Sequence, residues 1–303
     1  MQLSFNKKKS SAIRDSKGDR IFSYFNAVIM TLISLACLYP IWYVLMASFS
    51  STAAINANLG KLLWPQDFSL GAYQMTLKHP LILSGFRNIF LILVFSLPLQ
   101  MTMTVLCGYF MAAKNVMFKN AIVSFFMFTM FFSGGLIPMY INQRDLGLYN
   151  NLWALIIPGA LSLFNAIICK SSIDVIPDSL TESAHMDGAG DFRILTQIIV
   201  PVIKPTLAVL LLYYGVGLWN NWFNAAIFIQ DNDLLPIQNI LRGVLLANNQ
   251  SLNQGTQSAD VVNQFAETIK YAAISISTIP ILCIYPFLQK YFVKGIMIGS
   301  VKG

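Results

Sequence analysis

Charged side chains fall in clusters along this chain, and the intervals between the clusters are the first pattern to read. No Asp, Glu, Lys or Arg occurs between Arg20 and Lys61, Arg87 and Lys114, Lys119 and Arg144, Asp145 and Lys170, Lys204 and Asp231, or Lys270 and Lys290. Each interval matches or exceeds the ~20 residues that a helix, rising ~1.5 Å per residue, needs to cross a ~30 Å hydrocarbon core. Within the intervals apolar residues run all round the helix, whereas a soluble helix would turn a polar face to water about every 3.6 residues. The pattern predicts an all-α membrane protein with six transmembrane helices at about 22–48, 88–112, 120–141, 150–169, 205–230 and 270–290. A basic segment 1–21 precedes this 22–293 domain, a tail 294–303 follows it, and the long loop 171–204 joins helices four and five.

The first apolar run also resembles a signal peptide, because Lys7, Lys8, Lys9, Arg14, Lys17 and Arg20 precede it and Ala47, Ala53 and Ala54 follow. Its extent, Ile21 to Phe49, exceeds the roughly 7–15 residues of a signal-peptide core, so it is expected to stay as a membrane anchor.

Composition agrees with lipid as the surroundings: 56% of residues are hydrophobic and 11% charged, against roughly 25% charged in a soluble domain. With the N-terminus inside, the cytoplasmic segments hold fourteen of the twenty Lys and Arg and seven of the thirteen acids. Basic residues near helix ends are retained in the cytoplasm, so both termini are expected there. The net charge of +7 is then a signature of orientation, not a nucleic-acid footprint. The expected location is the cell (cytoplasmic or inner) membrane, multi-pass. Cys37, Cys107, Cys169 and Cys283 lie in four separate apolar runs, which fits small buried residues and no disulfide or metal site.

Ion-driven carriers place acids, bases or histidines inside the bilayer. Here the apolar runs hold none, and His79 and His185 fall in predicted loops. Backbone carbonyls can still bind an ion, so ion coupling is weakened rather than excluded. A G-x-x-x-x-G-K-[ST] phosphate loop is absent, as are a G-x-S-x-G elbow and an H-E-x-x-H pair. The chain reads as a transport subunit, not an enzyme, with no cofactor of its own and its energy source on another chain.

The loop 171–204 carries Asp174, Asp178, Glu182, Asp187 and Asp191. Pro177 to Glu182 predicts a helix start, with Ser179 as N-cap and Glu182 closing a capping box. The helix should run to about Met186 and turn at Gly188 and Gly190. A second amphipathic stretch, Phe192 to Val200, then leads to Pro201 and helix five.

Glu182-Ser183-Ala184, three residues, Gly188, nine residues, Ile198, one residue and Val200-Pro201 resemble the loop E-A-A-x3-G-x9-I-x-L-P of binding-protein-dependent ABC importer permeases. Ser183 replaces an alanine and Val200 a leucine, and every spacing is kept. Gly134 to Tyr140, Trp219-Asn220-Asn221-Trp222 and the ending Lys294 to Gly303 extend the resemblance, from about Phe22 onward, to carbohydrate-type permeases of the MalG-like group and its LplC/YtcP branch. The resemblance implies the type I importer fold, alternating access and an oligosaccharide cargo. As partners it implies a second permease in a heterodimer, a cytoplasmic ATPase dimer that binds ATP and Mg, and an extracytoplasmic solute-binding protein. It assigns Glu182, Ser183, Ala184, Asp187, Gly188, Ala189, Ile198 and Pro201 to coupling with the ATPase. It assigns Lys294, Gly299 and Lys302 to a tail that reaches the same interface. Two plainer readings stay open: Glu182 capping its own helix, and a solvated tail.

Candidate substrate-pathway residues are Tyr140, Trp219, Asn220, Asn221, Trp222 and Asn224, with Asn142 and Asn165 as weaker ones. Amides in lipid are costly unless partnered, and aromatic faces beside amides suit the C–H faces and hydroxyls of sugars. Interfacial aromatic belts and interhelical amide bridges are the alternatives. The external segments 50–86, with a turn at Pro65 and Asp67 before a short helix, and 231–267, rich in Asn and Gln, are placed to meet a binding protein or to be plain solvated loops. The competing functions are a permease for a non-sugar solute and a stand-alone channel or ion-coupled carrier.

Overall fold

The computed structural model describes residues 16–58, 60–78, 80–114, 116–254 and 268–283. His79, residues 284–290 of the expected sixth helix, and Lys294, Gly299 and Lys302 of the tail lie outside them.

Helix α1, Lys17–Ser48, opens on a capping box: Ser16 Oγ accepts from the Asp19 backbone N–H at 3.2 Å and Asp19 Oδ2 accepts from the Ser16 N–H at 3.1 Å. It continues through Pro40, and its side chains from Ile21 to Trp42 are almost all exposed. Trp42 Nε1 donates to the Leu63 carbonyl at 2.8 Å, which hangs the following loop on the end of α1. That loop contains α2 (Thr52–Ala57), turns at Asp67 with φ 50°, and leads into α3 (Gly71–Lys78).

Helix α4, Pro80–Ala112, is the spine. It packs most extensively on α8 (Leu163–Ile173), then on α11 (Lys204–Trp219) and α13 (Ile237–Gln254). Its buried positions recur every three or four residues, from Ile82 through Gly85, Ile89, Ile92, Ser96, Gln100 and Thr104 to Gly108 and Met111. From Ser96 to Gly108 the stripe is small or polar, as in helices that associate inside a membrane. A Cβ on Gly108 would come within 2.9 Å of Cys169 Sγ, and one on Gly85 within 3.0 Å of the Ile237 Cα, so both positions exist for close backbone approach.

Three of the remaining expected spans are broken. The helix expected at 120–141 is α5 (Lys119–Phe131) and α6 (Leu136–Asp145), bent by 114° around Gly135, whose φ is 90°. That at 150–169 is a single turn, α7 (Trp153–Ile156), followed past Pro158 and Gly159 by α8. That at 205–230 is α11, a break at Asn220 and Asn221, and α12 (Trp222–Phe228). Between α8 and α11 lie α9 (Asp178–Met186) and α10 (Asp191–Val202). A 3-10 turn at Asn232–Leu234 precedes α13, and α14 (Thr268–Cys283) closes the described chain. Helices α1 and α4 are individually long and apolar enough to cross a membrane, and the pairs α5–α6 and α10–α11 are so when taken together. The described residues contain no strand.

Each break leaves backbone groups without helical partners, a serious cost away from water. Long-range side chains meet them. Gln100 Nε2 donates to the Gly159 carbonyl at 2.9 Å. Asn88 Nδ2 donates to the carbonyls of Asp233 at 2.7 Å and Leu235 at 3.1 Å. Asn150 Oδ1 accepts from the backbone N–H groups of Gln230 and Asp231, both at 2.9 Å, just beyond α12.

Candidate coupling knob and internal cavity

The loop 171–204 folds into a knob packed on the bundle. Helix α9 starts two residues earlier than its sequence suggests: Pro177 is the N-cap, with no side-chain capping bond, and Asp178 is the first helical residue. The expected Ser179–Glu182 capping box is therefore not formed. Proline presets the entry angle, and Asp178 supplies the acid that the positive end of the helix favours. Relieved of capping, Glu182 is exposed, and no hydrogen-bond or ion-pair partner is present for it among the described residues.

The end of α9 is a Schellman turn: the Ala189 N–H reaches the Ala184 carbonyl at 2.9 Å and the Gly188 N–H that of His185 at 3.0 Å. Gly188 has φ 81°, with open space where a side chain would begin. Ala184, Ala189 and Ile198 face the other way, packed on a core of Cys169, Ile173, Ile194, Leu195, Ile199, Ile203 and Leu210. Their size serves the seating of the knob on its own bundle, while Glu182, Ser183, Asp187 and Gly188 are exposed on its outer side.

Two further contacts fix the knob. Lys114 Nζ meets Asp178 Oδ2 at 2.6 Å, and that hydrogen bond and charge, with Glu182 adding a little, hold the lysine above its ordinary range. The Tyr109 hydroxyl donates to Asp191 Oδ1 at 3.2 Å.

Helix α10 is not regular. Leu195–Ile199 forms a π turn directly before Val200-Pro201. Proline cannot donate to the preceding turn and its ring crowds it, and widening the turn is one way to accommodate both. At Ile203, 3% exposed, the chain bends by 83° into α11, where Pro205 sits in the first turn. Pro201 itself is exposed.

Further along α11 lies a cavity of about 360 Å³, walled by α4, α6, α7, the α7–α8 break, α8, α11 and α12. Of the sequence-named pathway residues, Asn221 and Asn224 line it, as does the weaker candidate Asn165. The others stand elsewhere. Trp219 is 4% exposed, packs with Ile82, Ile89 and Ile237, and donates its Nε1 to the Ser277 carbonyl at 3.2 Å. Asn220 caps α11, its Nδ2 donating to the Val216 carbonyl at 3.0 Å. The Trp222 ring is covered by the Arg242 guanidinium at 3.4 Å, and its carbonyl accepts from Asn239 Nδ2 at 2.9 Å. Tyr140 stacks on Phe228 at 6.0 Å, behind the wall, and Asn142 is exposed outside it.

The sequence reading missed Gln100, Gln143 and Tyr213, which line the same space. The available signal was the isolated amide in an apolar run, which Gln100 is. The cavity floor is tied together by Tyr214, whose hydroxyl pairs with Thr104 Oγ1 at 2.6 Å and accepts from the Ser162 N–H at 3.2 Å.

Residues 68–298 match the family described as binding-protein-dependent transport system inner membrane component. Protein LplC of Bacillus subtilis is 35% identical over 291 residues, 96% of this chain and 98% of that protein. The polygalacturonan/rhamnogalacturonan transport system permease protein YtcP of the same organism is 33% identical over 285 residues, 94% of this chain and 99% of its own. A chain of a bacterial ABC transporter involved in the import of the acidic polysaccharide alginate superposes with a TM-score of 0.83 at 32% identity, covering 92% of this chain and 99% of that one. The chain belongs to the family of inner membrane components of binding-protein-dependent transport systems.

Proposed function

We propose that this chain is one of two permease subunits of an oligosaccharide importer, driven by a separate ATPase dimer that binds ATP and Mg. Its six spans are α1, α4, α5 with α6, α7 with α8, α11 with α12, and α14 with the residues after it. Both termini are cytoplasmic, which leaves 1–21 and 294–303 as cytoplasmic segments around a 22–293 membrane domain. An extracytoplasmic binding protein delivers the cargo on the side of α2, α3 and α13.

The observation that carries this reading is the knob. Its motif spacing is folded as a short exposed helix and a glycine turn, and a helix from it bends straight into α11, which walls the cavity. Docking in the ATPase uses the exposed side, with Glu182 pairing to a basic group and Gly188 giving close approach. The tail residues Lys294, Gly299 and Lys302 join the same interface. The names of the relatives and of the solved transporter support a carbohydrate cargo, as does a cavity whose polar lining is made of amides and hydroxyls.

The test is to co-express the chain with its permease and ATPase partners, reconstitute the complex in proteoliposomes and measure binding-protein-stimulated ATP hydrolysis. Glu182→Ala is expected to lower it by about tenfold or more, the scale of losing a charge-assisted contact, with membrane insertion unchanged. Transport by the chain without any ATPase would refute the proposal.

A further inference from the structure

Among the described residues, the cavity wall contains no charged side chain. Its polar groups are the amides of Gln100, Gln143, Asn165, Asn221 and Asn224 and the hydroxyl of Tyr213, beside the committed Tyr214 and Ser162. Asn165 is the telling member. It is 6% exposed and its backbone N–H is satisfied by Ser162 Oγ at 3.4 Å, yet its amide group has no protein partner among the described residues. The amide opens onto the cavity and is free to bond whatever enters it, giving through its nitrogen and taking through its oxygen.

The neighbouring groups define what that is. Asn221 Oδ1 already accepts from the Asn224 N–H at 3.4 Å, which leaves its Nδ2 as a donor. Gln100 Nε2 is committed to Gly159, so its Oε1 is fixed as an acceptor, and it is buried without a donor, as is Gln143 Oε1. Those two oxygens are closed off within the wall, whereas the amides of Asn165 and Asn224 each offer the cavity a donor and an acceptor. A hydroxyl both gives and takes hydrogen bonds. A carboxylate only accepts, and it would bring a charge out of water to a wall with no cation to meet it.

We infer that this cavity is a subsite for an uncharged, hydroxylated sugar unit, read by Asn165 and Asn224, and that it rejects a sugar carboxylate. This rests on the importer reading above and narrows it, because the names of two similar proteins specify acidic polysaccharides. The volume of about 360 Å³ is at the small end of the roughly 300–1,000 Å³ of ligand sites, suited to a segment of a chain.

The test uses the complete permease–ATPase complex in lipid nanodiscs, without the binding protein, so that its own selectivity does not enter. Maltotriose is the neutral probe and trigalacturonate the acidic one, and each is followed by saturation-transfer NMR. The readout is the part of the signal that Asn165→Leu removes. Maltotriose is expected to lose about fivefold, the scale of one or two hydrogen bonds, and trigalacturonate to lose nothing. Asn224→Leu, at a half-buried position, gives the same readout should Asn165→Leu fail to assemble with the ATPase. A maltotriose signal that is absent or unchanged by either variant overturns the inference, as does a trigalacturonate signal that depends on Asn165. Binding-protein-stimulated ATP hydrolysis of the wild-type complex, measured on the same preparation, reports the importer reading separately.

Discussion

Gly188 concentrates two requirements in one residue, a left-handed backbone and an absent side chain. At φ 81° an L-residue with a Cβ is strained by about 1–2 kcal/mol, although the space beside it is open. Aspartate and asparagine are the residues that tolerate this conformation best, so both keep the turn while adding bulk to the outer side. Gly188→Asp and Gly188→Asn are therefore both expected to abolish coupled ATP hydrolysis, measured in reconstituted complex, while leaving insertion intact. Normal hydrolysis in the asparagine variant would place the role of Gly188 in the turn alone. The aromatic cluster next to the cavity behaves differently. Trp219 is a core residue, and Trp219→Ala should destabilise the complex by about 3–5 kcal/mol, read as a lowered thermal midpoint, with transport affinity in the surviving complex unchanged. The cost of buried amides singled out Asn221 and Asn224, which line the cavity. It did not separate them from Asn220, because consecutive residues point about 100° apart on a helix and here a helix also ends between them.

At the scale of elements, α4 matters less for crossing a membrane than for what it holds. Asn88 and Gln100 project from its buried stripe onto broken backbone elsewhere. Gln100→Leu keeps the volume and leaves the Gly159 carbonyl unpaired, and a loss of about 1–3 kcal/mol is expected, measurable as a lower melting temperature in detergent. Charge-free intervals revealed where apolar segments lie, and nothing in them revealed where those segments break. Gly135, Pro158 with Gly159, and Asn220 with Asn221 carry no charge, so each interval reads as continuous. Composition within the intervals held the missing signal, since glycine, proline and capping amides are what end helices. The displaced cap of α9 has a similar cause. Ser179 and Glu182 stand at capping-box spacing, but Pro177 and Asp178 just ahead of them start the helix first.

For the whole molecule, the knob, the α10–α11 bend and one wall of the cavity lie along one continuous stretch of chain from Asp178 to Phe228. Removing residues 294–303 is expected to lower coupled ATP hydrolysis without lowering expression. Full coupling in the truncated complex would leave the tail as a solvated extension. The motif loop was legible because its spacing is local, whereas the cavity depends on residues from Gln100 to Phe228 that only tertiary structure assembles. The bend of 83° at Ile203 gives this arrangement a mechanical property. Were α10 and α11 collinear, rolling α10 about its own axis would merely spin α11 in place. With the two nearly at right angles they form a crank, and a roll becomes a sweep. The sixteen residues of α11 make an arm of about 24 Å at ~1.5 Å per residue, so a roll of about 10° carries its Asn220 end through about 4 Å.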